Sequence, residues 1–379
     1  MSPTRPATTL SEGEGRNADM TPLAAEIRRM IAVDGPIPVA HYMALALCHP
    51  RYGYYATRDP FGADFVTAPE ISQMFGELIG LWAAAVWRMM GAPGAVYLVE
   101  LGPGRGTLMS DALRAVTVVP AFRAALSVHL VETSPVLRRR QEETLARLGA
   151  PVAWHHDAAD VPDGPMIAIA NEFFDALPVH QAVKAPDGWH ERMVGLEDDR
   201  LVFALHPDPV RGLEGALPPK VRAAPMGALF EWRSDTTVRE LARRVARHGG
   251  AALVIDYGHT ETAVGETLQA VGGHGFGDLL ETPGEIDLTA HVDFRALARA
   301  AAAQCAHVQG PLMQGEFLRR LGIAERAQKL KERATAKQAG EIDAALARLT
   351  APGATGMGKL FKAIGFADAR LGPLPGFDS

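Results

Sequence analysis

Along the chain the spacing of apolar residues changes twice. From Thr21 to about Met90 they recur at helical intervals. Leu23, Ile27, Met30 and Ile31 follow Pro22, a residue suited to a first helical turn. A second helix is expected after Pro38 and a third through Ile71 to Met90. An aromatic, glycine-bearing loop, Arg51 to Thr67, lies between them. Beyond Gly94, short apolar runs alternate with helical segments. Ala95 to Glu100, Ser127 to Glu132, Val152 to His155 and Met166 to Ala170 read as strands; Thr107 to Val116 and Pro135 to Leu148 read as helices. This alternation predicts a parallel, doubly wound α/β sheet. Residues 180–220 break the rhythm: segments around Gly188 and Asp198-Asp199 read as antiparallel hairpins, followed by a Pro/Gly-rich loop, and together as an insertion. A helix over Thr237 to His248 and a buried strand, Ala251 to Ile255, restore it. Then come a glycine-rich loop (265–284), helices from His291 to Ala303 and Glu316 to Leu349, and a last segment near Lys359.

The expected organisation is therefore a disordered leader (1–20), an N-terminal helical region (21–94), a nucleotide-binding core (95–260) carrying the hairpin insertion, and a C-terminal part (261–379) with a substrate loop, helices and strands. Composition narrows the partners. The 379 residues carry a formal charge of −6 with both signs mixed throughout, which argues against nucleic acid. The most apolar stretch, Leu78 to Trp87, is too short to span a bilayer and reads as a buried helix, so no membrane insertion is expected. Two distant cysteines, Cys48 and Cys305, exclude a disulfide framework or a Cys-rich zinc site and fit a reducing compartment, read here as the cytoplasm.

Candidate chemistry begins at Val99-Glu100-Leu101-Gly102-Pro103-Gly104-Arg105-Gly106-Thr107. A dinucleotide fingerprint needs a glycine where Thr107 stands, and a P-loop needs a lysine that is missing. What remains is E-x-G-x-G-x-G. A diphosphate disfavours a carboxylate at the strand end, whereas the sulfonium and ammonium of S-adenosylmethionine favour one. Glu100 therefore selects S-adenosylmethionine, and Gly102, Gly104 and Gly106 let the backbone approach it. Glu132, ending the second strand, is placed to accept from ribose hydroxyls. Asp157 is placed to accept from the adenine amine, or else to cap the next helix. His155-His156-Asp157 is no metal site, because neighbours on a strand point to opposite faces.

The fourth strand runs into Asn171-Glu172-Phe173-Phe174-Asp175-Ala176-Leu177-Pro178, which should face the donor methyl. Glu172 is the expected principal substrate carboxylate and Asp175 the second, with Asn171 beside them. Asp256 and Tyr257 end the next strand and should line the same cleft, with a buried Tyr–Asp hydrogen bond as the structural alternative. The Thr267 to Phe294 stretch, carrying His274, Asp287 and His291, reads as a mobile lid or substrate wall. Gly353 to Lys359 imitates a P-loop but has Leu360 in place of the metal-binding hydroxyl, and no G-x-S-x-G elbow occurs.

The runs VELGPGRGTL, VETSPVLRRRQ, ANEFFDALPVHQ, VIDYGH, TLQA, DLTAHVDF and MGKLFKAIGF, in that order, resemble the MidA family. The likeness extends from about Ile27 to Phe366 and takes in YYATRDPFG and TAPEISQMFGELIG. It implies a Rossmann-like class I methyltransferase core with an N-terminal helical region and inserted and C-terminal additions. It also implies S-adenosylmethionine as cofactor, held by Gly102, Gly104, Gly106 and Glu132, with Asn171-Glu172 in the catalytic loop. Protein arginine N-methylation of a respiratory complex I subunit is the implied activity. Where the family carries an aromatic and then basic residues after TLQA, this chain has Val271-Gly272-Gly273 before His274. Two other readings stay open: a non-catalytic complex I assembly factor that binds the cofactor, and a nicotinamide oxidoreductase.

Overall fold

Among the described residues, seven strands form the path of the main sheet: β1 (Val96–Leu101), β2 (Leu126–Val131), β3 (Val152–His155), β4 (Met166–Asn171), β5 (Gly250–His259), β6 (His307–Met313) and β7 (Phe361–Ala367), with the short strand Val292–Asp293 pairing with the end of β5 as an eighth. The computed structural model that shows them describes residues 20–59, 66–272, 275–353 and 356–378. The leader expected at 1–20 (but for Met20), residues 60–65 of the aromatic loop, His274, and Ala354 and Thr355 of the imitation P-loop lie outside the described residues. The order across the sheet is β3-β2-β1-β4-β5-β7-β6. Strands β1 to β5 run parallel, and β7 runs antiparallel to both β5 and β6. Every residue of β4 is buried, as a strand covered on both faces requires. The sheet thus draws three strands from beyond residue 260, Val292–Asp293, β6 and β7.

One face of the sheet is covered by the helices Gln73–Met89 and Thr107–Ala115 together with C-terminal helices carrying Phe317, Ile323 and Leu349. The other is covered by Thr236–His248 and Phe294–Ala302. The apolar stretch Leu78 to Trp87 is indeed inside a buried helix, and its small residues explain why. A Cβ on Gly80 would lie 2.6 Å from Ala112 Cα and one on Gly76 2.7 Å from Asp111 Cβ, so two helices approach closely along this edge. The helix does not start at Ile71. Ser72 has extended dihedrals (φ −164, ψ 139) and its hydroxyl accepts from Met74 N, separating a short helix, Ala68–Ile71, from Gln73–Met89. The long helix read over Glu316 to Leu349 is likewise three, Gln314–Arg320, Ile323–Lys331 and Ala336–Thr350. They are interrupted at Gly322 (φ +87) and at the Thr335 capping box.

The inserted hairpins are Val179–Ala185, Gly188–Glu197 and Arg200–Pro209, joined by a fourth strand, Leu229–Arg233, beyond the expected span. Ile37 and Pro38 pair with Val194 and Met193, so the N-terminal helices enter this second sheet. Leu23, Ile27, Tyr42 and Met43 share one core with Val179, Val194, Leu268 and Leu288. The Thr267 to Phe294 stretch holds a third, small sheet with strands Gln269–Gly272, Gly275–Gly277 and Asp287–Thr289. The N-terminal region, through Cys48, Tyr55 and Thr67, and the small sheet, through Gln269, Val271, Asp287 and Thr289, wall a cavity together with the loops that leave the parallel strands.

Candidate active site

The strand order reverses between β1 and β4, so the loops leaving them diverge and open a crevice. A cavity of about 430 Å³ occupies it, with a recess of about 30 Å³ alongside. Gly102 and Gly104 line both spaces, with φ of +60 and +54, the left-handed region that favours glycine. A Cβ on Gly102 would also stand 2.9 Å from the Phe173 ring. Pro103, Arg105 and Thr107 line the recess, whereas Gly106 sits off both walls as the N-cap of Thr107–Ala115.

One side of the cavity is built around the residues that follow β2. Glu132 is buried there, its Oε1 accepting from Ser134 N (2.8 Å) and its Oε2 from Gln141 Nε2 (3.1 Å). Gln141 Nε2 also donates to Gly104 O (2.7 Å), and Trp154 Nε1 donates to Gln141 Oε1 (2.9 Å). One buried amide thereby fixes the acidic strand end against the glycine loop. Burial raises the Glu132 pKa, and the bonds from Ser134 and Gln141 pull it back. Asp157, exposed, lines the cavity, and its Oδ1 caps the turn Ala158–Asp160 by accepting from Ala159 N at 2.8 Å, the capping alternative.

The recess supplies an independent test of ligand charge. Glu100 Oε2 and Asn171 Oδ1 are buried without a hydrogen-bond partner among the described residues. Burial pushes the Glu100 carboxyl up to about 8. Two buried acceptors without donors fit an ammonium group and repel a phosphate.

At the other end of the cavity Glu172 follows directly on β4. Its φ of +50 is rare for a residue with a side chain, and its amide donates to Ile255 O (2.9 Å) on β5. That backbone turn aims the carboxylate inward. Oε1 accepts from Ala68 N (2.9 Å) and Asn171 Nδ2 (3.1 Å). Burial, with Asp175 nearby, pushes Glu172 up to about 8 despite those bonds. Asp175 Oδ2 accepts from Tyr257 OH (2.8 Å) and Thr289 Oγ1 (2.9 Å), while its buried Oδ1 has no partner among the described residues. Asp287 and Tyr257 line the same cavity.

Two expected substrate residues are not on the wall. Asp256 turns away: its Oδ2 accepts from Phe174 N (3.0 Å) and Asp175 N (3.2 Å) and its Oδ1 from Tyr257 N (2.9 Å). It shapes the 171–178 loop from beneath. His291 packs edge-on against Tyr257, with ring centroids 5.6 Å apart, and does not line the cavity. His274 lies outside the described residues. Sequence reasoning missed Gln141, Thr289, Tyr55 and Arg233. The Arg233 guanidinium donates to the carbonyls of Leu177, Asp175, Ala290 and His291, bracing two walls at once. Gln141 had a visible signal: with Leu137 and Leu145 it forms the buried stripe of its helix.

The model of the family Methyltransf_28, described as "Putative S-adenosyl-L-methionine-dependent methyltransferase", matches residues 78–312. The mitochondrial protein arginine methyltransferase NDUFAF7 of Danio rerio is 39% identical over 326 residues, covering 79% of this chain and 76% of that protein. Its Homo sapiens counterpart is 38% identical over 361 residues, covering 85% and 78%. A Burkholderia thailandensis protein whose crystal structure holds S-adenosyl-homocysteine superposes with a TM-score of 0.79 at 31% identity, covering 94% of this chain and 92% of that one. These relatives correct the expected cytoplasmic location, since the curated proteins just named are mitochondrial. Two unpaired cysteines fit a reducing compartment and do not separate one such compartment from another.

Proposed function

Because the chain belongs to this family of S-adenosyl-L-methionine-dependent methyltransferases, we propose that it N-methylates an arginine of a protein substrate, a respiratory complex I core subunit. Similarity to the named arginine methyltransferases supports the acceptor, and the resemblance to the MidA family supports the choice of subunit. The observation that carries the reading is the position of Glu172 between the recess with its unpartnered acceptors and the Asp175 carboxylate.

S-adenosylmethionine, when bound, supplies an electrophilic methyl group on its sulfonium. Glu132 and Asp157 would hold its nucleoside, and Glu100, Gly102, Pro103, Gly104 and Asn171 its amino-acid end, with Gly106 setting the loop behind them. Glu172 and Asp175 hold the guanidinium by charge-assisted hydrogen bonds and orient one nitrogen for in-line attack. That nitrogen loses a proton as it forms the new N–C bond, and Glu172, with a pKa near 8, is placed to accept it. Phe173 and Leu177 on the cavity wall exclude water from the transfer. The test is transfer of labelled methyl from S-adenosylmethionine to purified complex I core subunits, followed by amino-acid analysis for methylarginine. Label in no protein of a whole lysate would sink the enzymatic reading.

The raised acids give a second expected result. Glu100 and Glu172 ionise near 8 in the folded protein against an ordinary 4.5, so the folded chain holds protons that the unfolded chain has released. Ligand-free stability therefore falls as pH rises from about 4.5 to about 8 and then levels. A cation in the recess reverses the preference. S-adenosylhomocysteine should bind up to about fivefold more tightly at pH 8 than at pH 7, releasing a proton. Calorimetry in buffers of different ionisation enthalpy measures this, and Glu100→Gln should flatten it. A buffer-independent heat and a constant Kd from pH 6 to 8 would refute it.

A further inference from the structure

The loop from Arg51 to Thr67 has so far no chemical role, although Tyr55 lines the large cavity. We propose that Tyr55 is a positioning residue for the acceptor: its hydroxyl sets Asp287 as a third carboxylate around the cation, beside Glu172 and Asp175. The proposal rests on the methyl-acceptor reading above.

Tyr55 is anchored at both ends. Its carbonyl accepts from Ser134 Oγ (2.6 Å), and Ser134 N in turn donates to Glu132 Oε1 (2.8 Å) on the nucleoside side. Its ring packs edge-on against the fully buried Tyr54, with centroids 5.2 Å apart. From there the phenol reaches across the cavity end and donates to Asp287 Oδ1 at 3.0 Å. Asp287 itself is buried and its backbone is fixed by pairing with Val271 in the small sheet. Burial first, and then the charges of Asp287 and Asp175 close by, raise the phenol's pKa well above its ordinary value, so it remains a neutral donor.

The neutrality of this donor carries the argument. A lysine or arginine would also orient Asp287, but it would cancel the charge that a cationic acceptor needs. A hydroxyl orients the carboxylate without itself adding a positive charge. Asp175 is held in the same manner, by the hydroxyls of Tyr257 and Thr289. A guanidinium carries five N–H groups in one plane, more than one carboxylate edge can accept. Acceptors contributed by the 171–178 loop and, across the cavity, by Asp287 would fix the plane of the cation as well as its position. That fixes which nitrogen faces the methyl donor.

The test compares wild type, Tyr55→Phe, Asp287→Asn and the double variant, each saturated with S-adenosylhomocysteine. Binding of n-propylguanidine and of n-butylamine is followed by NMR titration. Tyr55→Phe should weaken propylguanidine about tenfold, the loss of one hydrogen bond to a charged group. It should change the Kd for S-adenosylhomocysteine by less than about twofold, and the double variant should bind propylguanidine no more weakly than Asp287→Asn alone. With a protein acceptor the same change should raise KM and also lower kcat, the rise in KM being the larger effect. Unchanged propylguanidine binding, a parallel loss of S-adenosylhomocysteine affinity, or additive single effects would overturn the proposal. If wild type binds butylamine and not propylguanidine, and Tyr55→Phe weakens it, Tyr55 keeps its role and the arginine reading fails. If wild type binds neither cation, both fail.

Discussion

Glu172→Gln should leave S-adenosylhomocysteine affinity within about threefold of wild type and lower methyl transfer by about 10²–10⁴-fold. The asymmetry follows from the bonding of the two oxygens. Oε1 is an acceptor for Ala68 N and Asn171 Nδ2, and an amide oxygen can keep both bonds. The loop geometry, including the left-handed turn at Glu172, therefore survives. What disappears is the negative charge that holds the acceptor and the base that takes its proton. Labelled-methyl transfer to the protein acceptor and calorimetry with S-adenosylhomocysteine separate the two effects. Transfer within tenfold of wild type would move the base elsewhere, and a matching loss of cofactor affinity would make Glu172 part of the cofactor site.

Gly104→Val should reduce S-adenosylhomocysteine affinity more than about 100-fold while the far-ultraviolet circular dichroism stays unchanged. The backbone at Gly104 has φ +54, where a β-branched side chain costs about 1–2 kcal/mol. The larger cost is geometric. Gly104 borders both the cavity and the recess, and its carbonyl is held by Gln141, so a valine side chain has no direction to move that spares the ligand. The loop lies beyond the carboxyl end of β1, outside the hydrophobic layers, so the sheet need not respond. Normal affinity would show that the ligand lies elsewhere in the crevice.

The legible parts of this molecule were those carried by local pattern. Charge at Glu100 and glycine spacing named the ligand class before any contact was known, because strand-then-loop geometry repeats whatever surrounds it. The residues misplaced or missed depend on distant packing. Asp256 and Tyr257 are adjacent on one strand and must point to opposite sides; the pattern says that they alternate without saying which faces the cavity. Tyr55 and Asp287 are 232 positions apart and meet only because the N-terminal helices fold back onto the small sheet. Arg233 reads as an ordinary edge-strand cation until its four carbonyl partners are in place. Helix boundaries failed at Ser72 and Gly322 for a different reason, since a single cap or left-handed residue interrupts an otherwise continuous apolar stripe.

Strand β7 lies between β5 and β6, yet residues 361–367 are translated after every other strand of the main sheet. On a ribosome, β5 must therefore wait with an open edge while helices and loops accumulate behind it, and β6 has no neighbour to join. An open edge of this kind pairs readily with other chains. Synthesis of this protein thus has a vulnerable interval that closes only once residues 361–367 have emerged. Chains cut short before residue 361 should accordingly aggregate in place of giving shortened, working enzymes.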